Sequence, residues 1–215
     1  MKSISLITRR PDLSPAAFQS YYEDTHCWLG MKHFPFTRYT RNHLAVESTA
    51  VDFDCLSEFG MEPSFDGGDV MRSRSRALML DDERQFMLPE RIRVAVVREQ
   101  ALVGTADDTL GCSRYLLLFQ CVGADLETYQ AGVAEAAQEW LADVPGVRHA
   151  SLDLRVASAG SAFPYDALLW LTLEAGYEAL LPQAGDWPGL LAVVAVTTHA
   201  TPEATLRESF EAYLP

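Results

Sequence analysis

Positive charge is scarce in this chain. Its 17 Lys and Arg stand against 30 Asp and Glu, a formal net charge of -13. A basic groove along a phosphate backbone is hard to build from so few cations, which excludes nucleic acid and an anionic membrane surface as expected partners. Cysteine is sparse and scattered. Cys27, Cys55, Cys112 and Cys121 form no CxxC pair, so neither a zinc knuckle nor a redox dithiol is written. They read as free buried thiols of a reducing compartment. No apolar run reaches the roughly 18 residues of a membrane span, and the stretch MKSISLITRRPD lacks the apolar core of a signal peptide. A soluble, cytoplasmic protein is expected.

Several chemical signatures are missing as well. His26, His33, His43, His149 and His199 are dispersed, with no HxH or HExxH spacing, so no metal is expected. The acids of DDERQFM (residues 81–87) are adjacent and do not converge from facing elements. The glycines at 67 and 68 are a lone turn signal, not a phosphate loop. No serine stands in a GxSxG context. No cofactor is expected from these patterns.

What the chain does have is apolar pattern. About half of its 215 residues are hydrophobic, 48%, enough for a substantial core in one large domain or two small ones. Residues 3–10 read as a strand. Ser14 is a plausible N-cap with Pro15 at the first helical position, and Phe18, Tyr21 or Tyr22, Thr25, and Trp28 or Leu29 fall on one helical stripe. Residues 36–46 alternate as a second strand and FDCLSEFGM reads as a third. Helices are expected near 68–76 and 81–87, then a strand over 90–100. The polar stretch 101–111 reads as a linker. Beyond it the order repeats: strand (CSRYLLLFQCV), helix (DLETYQAGVAEAAQEWLADV), two strands, a short helix, a strand and a tail.

Strand, helix, strand, strand, helix, strand, twice over, predicts an α+β fold. Two ferredoxin-like βαββαβ units, at 1–104 and 108–215, would be fused into an intrachain dimeric α/β barrel. The apolar alternation of 112–122 and 189–198 is too strong for a wet surface, so the two sheets are expected to cover each other and leave an interior suited to a ligand.

The run YYEDTHCWLGMKHFPFTRYTRNHL resembles the signature of the EthD family, within the dimeric α/β barrel superfamily. The matching positions are Arg9 and Arg10, Leu13 to Phe18, Tyr21 and Tyr22, Thr25 to Leu29, and Tyr39, Asn42 and His43. The resemblance covers roughly residues 3–100; from 112 onward it is architectural only. Where the family has proline before the leucine, this chain has Trp28. Matching Phe18 to Tyr129 puts Ala137 in the place of His26, so the second half resembles a degenerate repeat without a site. The resemblance implies a chain that carries its own partner, as a monomeric pseudo-dimer or a homodimer of such chains.

Within the residues themselves, His26 follows Tyr22 by four, so the two side chains can touch. Near neutral pH a histidine can donate or accept a proton, and the resemblance makes His26 the centre of the motif. A hydrogen-bonded structural histidine is the plainer alternative. Tyr39, Arg41 and His43 share one face of their strand, and Arg38, Thr40, Asn42 and Leu44 the other; either His43 faces the interior with Tyr39, or Asn42 does. Arg9 could clamp an anionic oxygen or simply end its strand in a surface ion pair.

The resulting expectation is a cofactor-independent enzyme acting on a small hydrophobic, aromatic or polyketide-like molecule, in secondary metabolism or aromatic degradation. His26, with Tyr22 and His43, would do the proton chemistry, in a lyase-type reaction by a cyclase, dehydratase or decarboxylase. Phe18, Trp28, Phe34, Tyr39, Asn42 and Arg9 would bind substrate. A cofactor-free monooxygenase, a non-catalytic carrier of a hydrophobic ligand and an interaction role remain as alternatives.

Overall fold

The computed structural model describes residues 1–45, 48–66, 68–105, 111–123, 125–157 and 162–215. Of the expected linker, 106–110 lie outside the described residues, as does Gly67 of the glycine pair. The strands are β1 (Lys2–Ile7), β2 (Phe36–Leu44), β3 (Cys55–Met61), β4 (Arg93–Val103), β5 (Cys112–Phe119), β6 (Val147–Arg155), β7 (Ala167–Glu174) and β8 (Leu190–Ala200). Their order closes on itself as β1-β3-β2-β8-β5-β7-β6-β4. Taken from β4 it runs β4-β1-β3-β2 and then β8-β5-β7-β6, the same ferredoxin-like order twice. The expected α+β barrel of two fused βαββαβ units is present.

By compactness the chain forms two interleaved units. The first holds Lys2–His43, Asp52–Val94 and Thr198–Pro215; the second holds Met1, Leu44–Val51 and Ala95–Thr197.

In the first unit, β3 pairs antiparallel with β1 and β2. Helix α1 (Pro15–Tyr21) begins where the sequence signals it: Ser14 accepts a hydrogen bond from the Ala17 N–H at 3.2 Å, and Pro15 occupies the first turn. A single π-helical turn follows, Tyr22–His26, in which the Cys27 N–H reaches back five residues to the Tyr22 carbonyl. Helix α2 (Cys27–His33) continues to Phe34, whose extended backbone precedes Pro35 and ends it. The inserted residue rotates the buried face. Phe18 and Tyr22 stay on the stripe as expected, but His26, Cys27, Gly30 and Met31 replace Thr25 and Leu29.

Helix α3 (Arg74–Phe86) is one helix, where the serine-rich sequence suggested two pieces. Ser73 caps it through the Arg76 N–H, and Arg76 grips Glu83 two turns on, at 2.8 and 2.9 Å. Ser75 accepts a bond from the N–H of Leu214, so its polarity is used by the C-terminal tail. That tail follows helix α5 (Glu203–Ser209) and also bonds to Lys32. His33 is buried there, with Nδ1 3.2 Å from the Ala212 carbonyl. The core between helices and sheet joins Ile7, Phe18, Tyr22, Met31, Tyr39, Phe86 and Leu206.

In the second unit, β7 pairs antiparallel with β5 and β6, and β5 pairs with β8. Helix α4 (Leu126–Asp143) starts at Asp125, which accepts from the Thr128 N–H at 3.0 Å, and runs uninterrupted for 18 residues. It ends before Pro145-Gly146. Gly146 has φ +77°, and a Cβ there would lie 2.2 Å from the Tyr177 ring, so only glycine fits the turn. The helix packs Tyr129, Val133, Ala137 and Leu141 onto Leu152, Leu154, Leu169 and Leu171. This layer is mostly apolar; the buried Gln130 amide donates to the Arg155 and Asp166 carbonyls, each at 2.8 Å.

Candidate functional site

In the first unit the layer between helix and sheet is polar. Register sets the sheet side of it. Tyr39 stands opposite Phe59, Arg41 opposite Ser57 and His43 opposite Cys55, all on the face that receives the helices. The π turn and α3 supply the other side.

Two histidine–carboxylate pairs lie here. His26 Nδ1 is 2.7 Å from Asp82 Oδ2. His43 Nε2 is 2.7 Å from Glu23 Oε1. Tyr22 stands between them: its ring is 5.0 Å from that of His26 and 5.6 Å from that of His43, edge-on to both. Both imidazoles are buried, His26 at 4% exposure and His43 at 2%. Phe18 and Phe86 complete the surroundings, with Phe86 4.8 Å from the His26 ring.

The carboxylate of the first pair is held by two side chains. Asp82 also accepts from the Tyr21 hydroxyl at 2.8 Å. Burial opposes its ionisation, but the bonds from His26 and Tyr21 outweigh this and lower its pKa. A carboxylate can only accept, so Nδ1 of His26 donates to Asp82 and Nε2 is the ring nitrogen that this bond leaves unused. His26 is not at a helix C-terminus, since α2 continues to His33. Its carboxylate partner comes from α3, not from neighbouring Asp24, which binds Ser20 at 2.7 Å.

The second pair belongs to a larger cluster. Arg41 grips both oxygens of Glu23, the shortest contact 2.7 Å, and donates to the Tyr39 carbonyl and to Thr201. Burial disfavours the Glu23 carboxylate, yet His43 and Arg41 hold its pKa down to about 2. Burial likewise disfavours the His43 imidazolium, yet Cys55 and Glu23 raise it to about 9. His199 Nδ1 lies 3.7 Å from Glu23 on the more exposed side, and its Nε2 is 3.0 Å from the Gln19 amide nitrogen. Burial lowers the His199 pKa against the pull of Glu23, with His43 and Arg41 reinforcing the drop.

Tyr22 and Tyr39 form the floor. The Tyr22 hydroxyl is 2.8 Å from Ser57 Oγ. Burial raises both phenols well above the ordinary tyrosine value, so they stay protonated.

The fold thus gathers Phe18, Tyr22, His26, Tyr39 and His43. It places the other expected residues elsewhere. Asn42 is on the opposite face of β2, donating to Glu58 Oε1 at 3.0 Å and accepting from Thr198 at 2.8 Å. His43 shares the helix-facing side of this strand with Tyr39, and Asn42, also buried, takes the other side. Arg9 ties the end of β1 to Asp54 at 2.8 Å. Phe34 packs beside Tyr213 of the tail. Trp28 is 51% exposed, because the extra residue of the π turn rotates it outward.

Glu23, Arg41, Tyr21 and His199 lie among these residues without having been named for the site, and Asp82, one of the adjacent acids of 81–87 expected not to converge with facing elements, reaches His26 from α3. The alternation of β2 had already put Arg41 beside His43. For Asp82, 56 residues from its partner, no local signal exists. Among the described residues no group of three or more His, Cys, Asp or Glu is placed to hold a metal ion, and no helix is long and apolar enough to cross a membrane.

Residues 10–90 match the family described as the EthD domain. That span contains both histidine–carboxylate pairs, but not His199. No curated protein matches the sequence. Among solved structures, an anthrone oxidase-like protein superposes with a TM-score of 0.58 at 13% identity, over 93% of this chain and 92% of that one. A proposed monooxygenase from Fusobacterium nucleatum superposes with a TM-score of 0.50 at 8% identity, over 92% and 91%. At these identities the likeness is one of fold.

Proposed function

We propose that this protein is a small-molecule enzyme of the cofactor-free monooxygenase kind, acting on an aromatic or polyketide-like carbon acid. The observation that carries the proposal is the buried His26–Asp82 pair, with Nδ1 held by the carboxylate and Nε2 left as a base. Such a base removes a proton from an activated CH2 group. The resulting carbanion or enolate is electron-rich enough to reduce dioxygen itself. The balance is R-CH2-R′ + O2 giving R-CO-R′ + H2O: two C–H bonds and the O–O bond break, and a carbonyl and water form.

The names of the anthrone oxidase-like protein and the proposed monooxygenase support oxygenation over the cyclase, dehydratase or decarboxylase reading of the same base. The apolar rings of Phe18 and Phe86 against the two histidines fit an aromatic ligand. Tyr22 and Tyr39, kept protonated by burial, are suited to donate a hydrogen bond to a developing oxyanion. Asp82 acts by orienting His26.

The test uses anthrone as probe, in buffer treated with chelator and free of flavin. Oxygen uptake should match ketone formed, one to one. His26→Gln should lower kcat about 10²- to 10⁴-fold while ligand binding persists. Unchanged turnover at saturating anthrone would sink the base assignment. Binding without oxygen uptake would leave the carrier reading, and product formed without oxygen the lyase one.

A further inference from the structure

The second histidine pair contains a group that the proposed oxygenation does not use. His43 and Cys55 are direct cross-strand partners on β2 and β3, side chains on the same buried face. Glu23 occupies Nε2 of His43 at 2.7 Å, and Arg41 fixes that carboxylate from the other side. Nδ1 of His43 is buried and has no hydrogen-bond partner among the described residues. Cys55 is fully buried, with Ser57 Oγ 3.7 Å from its sulfur. A carboxylate orienting an imidazole whose other nitrogen is left for a thiol is the arrangement of an activated cysteine.

We infer that Cys55, His43 and Glu23 form a peroxide-reactive thiol site, in which Cys55 is oxidised to a sulfenic acid. The imidazolium at Nδ1 stabilises the thiolate. The sulfur attacks one oxygen of hydrogen peroxide: an S–O bond forms and the O–O bond breaks. The departing hydroxide takes the Nδ1 proton and leaves as water. The sulfur is oxidised by two electrons and the peroxide reduced by two. Hydrogen peroxide is small enough to enter a packed layer that excludes larger oxidants, so burial selects the oxidant as well as protecting the thiol. Glu23 is a positioning residue, and it acts through His43.

The groups facing His43 set how the site responds to pH. They are Glu23 from the π turn, Cys55 from β3, Arg41 from its own strand, His199 from β8 and the Tyr22 ring from the helix side. Burial opposes the imidazolium, but Cys55 and then Glu23 outweigh it and raise the His43 pKa to about 9. An ordinary exposed thiol gains reactivity as pH rises, because more of it ionises. Cys55 should do the opposite above pH 9, where the proton donor is lost.

The experiment treats the native protein with dilute hydrogen peroxide for timed intervals, removes the peroxide with catalase, then unfolds the protein in urea containing dimedone to trap sulfenic acid, and reads each cysteine by mass spectrometry. Cys55 should label at least about ten-fold faster than the more exposed Cys112 and Cys121, and its rate should fall as pH passes 9 while theirs rise. His43→Asn and Glu23→Gln should each slow Cys55 labelling about ten-fold or more. Labelling of Cys55 no faster than that of Cys112 and Cys121, or rising with theirs through pH 9, would overturn the inference. The pH comparison needs only the native chain, so an unfolded variant does not spare the proposal.

Discussion

The two halves put a helix against a sheet in the same topological place and bury opposite chemistry there. In the first unit Phe18, Tyr22 and His26 meet Arg41, His43 and Ser57. In the second, Tyr129, Val133 and Ala137 meet Leu152, Leu154 and Leu171. The second layer holds chiefly by burial, with each fully buried leucine contributing roughly 1.5–3 kcal/mol, and its buried Gln130 amide is satisfied by backbone carbonyls. The polar layer holds only because its charges are matched: Glu23 by Arg41 and His43, Asp82 by His26 and Tyr21. Helix α4 needs no irregularity to present its stripe. The helix of the first unit needs a π turn to bring His26 and Cys27 inward together. A fold built twice can therefore pack one copy mostly with apolar side chains and let the other hold matched buried charges.

The sharpest way to break this contrast is Glu23→Gln. It leaves Arg41 and His43 facing each other without their carboxylate, and should cost roughly 3–5 kcal/mol in urea unfolding. A loss below about 1 kcal/mol would mean that the matched charges do not hold the polar layer together. The reverse experiment is Ala137→His. Ala137 is fully buried among apolar side chains, so the imidazole arrives without a carboxylate and without space. Destabilisation of about 3 kcal/mol is expected, from overpacking and an unsatisfied polar group together. An unchanged melting temperature would show that the dry layer can host a site after all.

The pH response should separate the halves more gently. Glu23 titrates lower in the folded protein, about 2 against 4.5, so its contribution is present above pH 4.5 and lost as pH falls toward 2. His43 titrates higher, about 9 against 6.5, so its contribution is full below pH 6.5 and lost as pH rises through 9. The two shifts share the Glu23–His43 contact and are not added, with Cys55 contributing to the His43 rise and Arg41 to the Glu23 drop. Hydrogen exchange in β2 should be slowest between about pH 4.5 and 6.5 once corrected for intrinsic rates, and His43→Asn should remove the alkaline loss. The smallest effect is expected from Trp28→Ala: a ring half in water should change stability by no more than about 0.5 kcal/mol. A larger loss would show that Trp28 has a packing role beyond its exposed face.

Most of the architecture was legible from local pattern. Alternation marked the strands, Ser14 and Asp125 marked helix starts, and the matching of His26 to Ala137 anticipated which half is polar. These signals are local because a cap, a strand face and a helical stripe are each settled within a few residues. The site was legible only in part. Tyr22, His26 and His43 stood out as residues, but their partners did not, because a carboxylate 56 residues away leaves no trace in spacing.

By itself, then, the sequence determined a repeated βαββαβ pattern, an acidic chain with no strong metal or phosphate-loop motif, and the half in which polar side chains share a face with aromatic ones. The tertiary structure decided what those side chains do. It alone turned one residue of the first helix into a π turn, which rotates His26 inward and Trp28 outward. It alone brought Asp82 to His26, and Glu23 and Cys55 to either side of His43. The physical reason is that a buried histidine is defined by what accepts and donates at its two nitrogens, and in this fold those groups come from other strands, other helices and other turns.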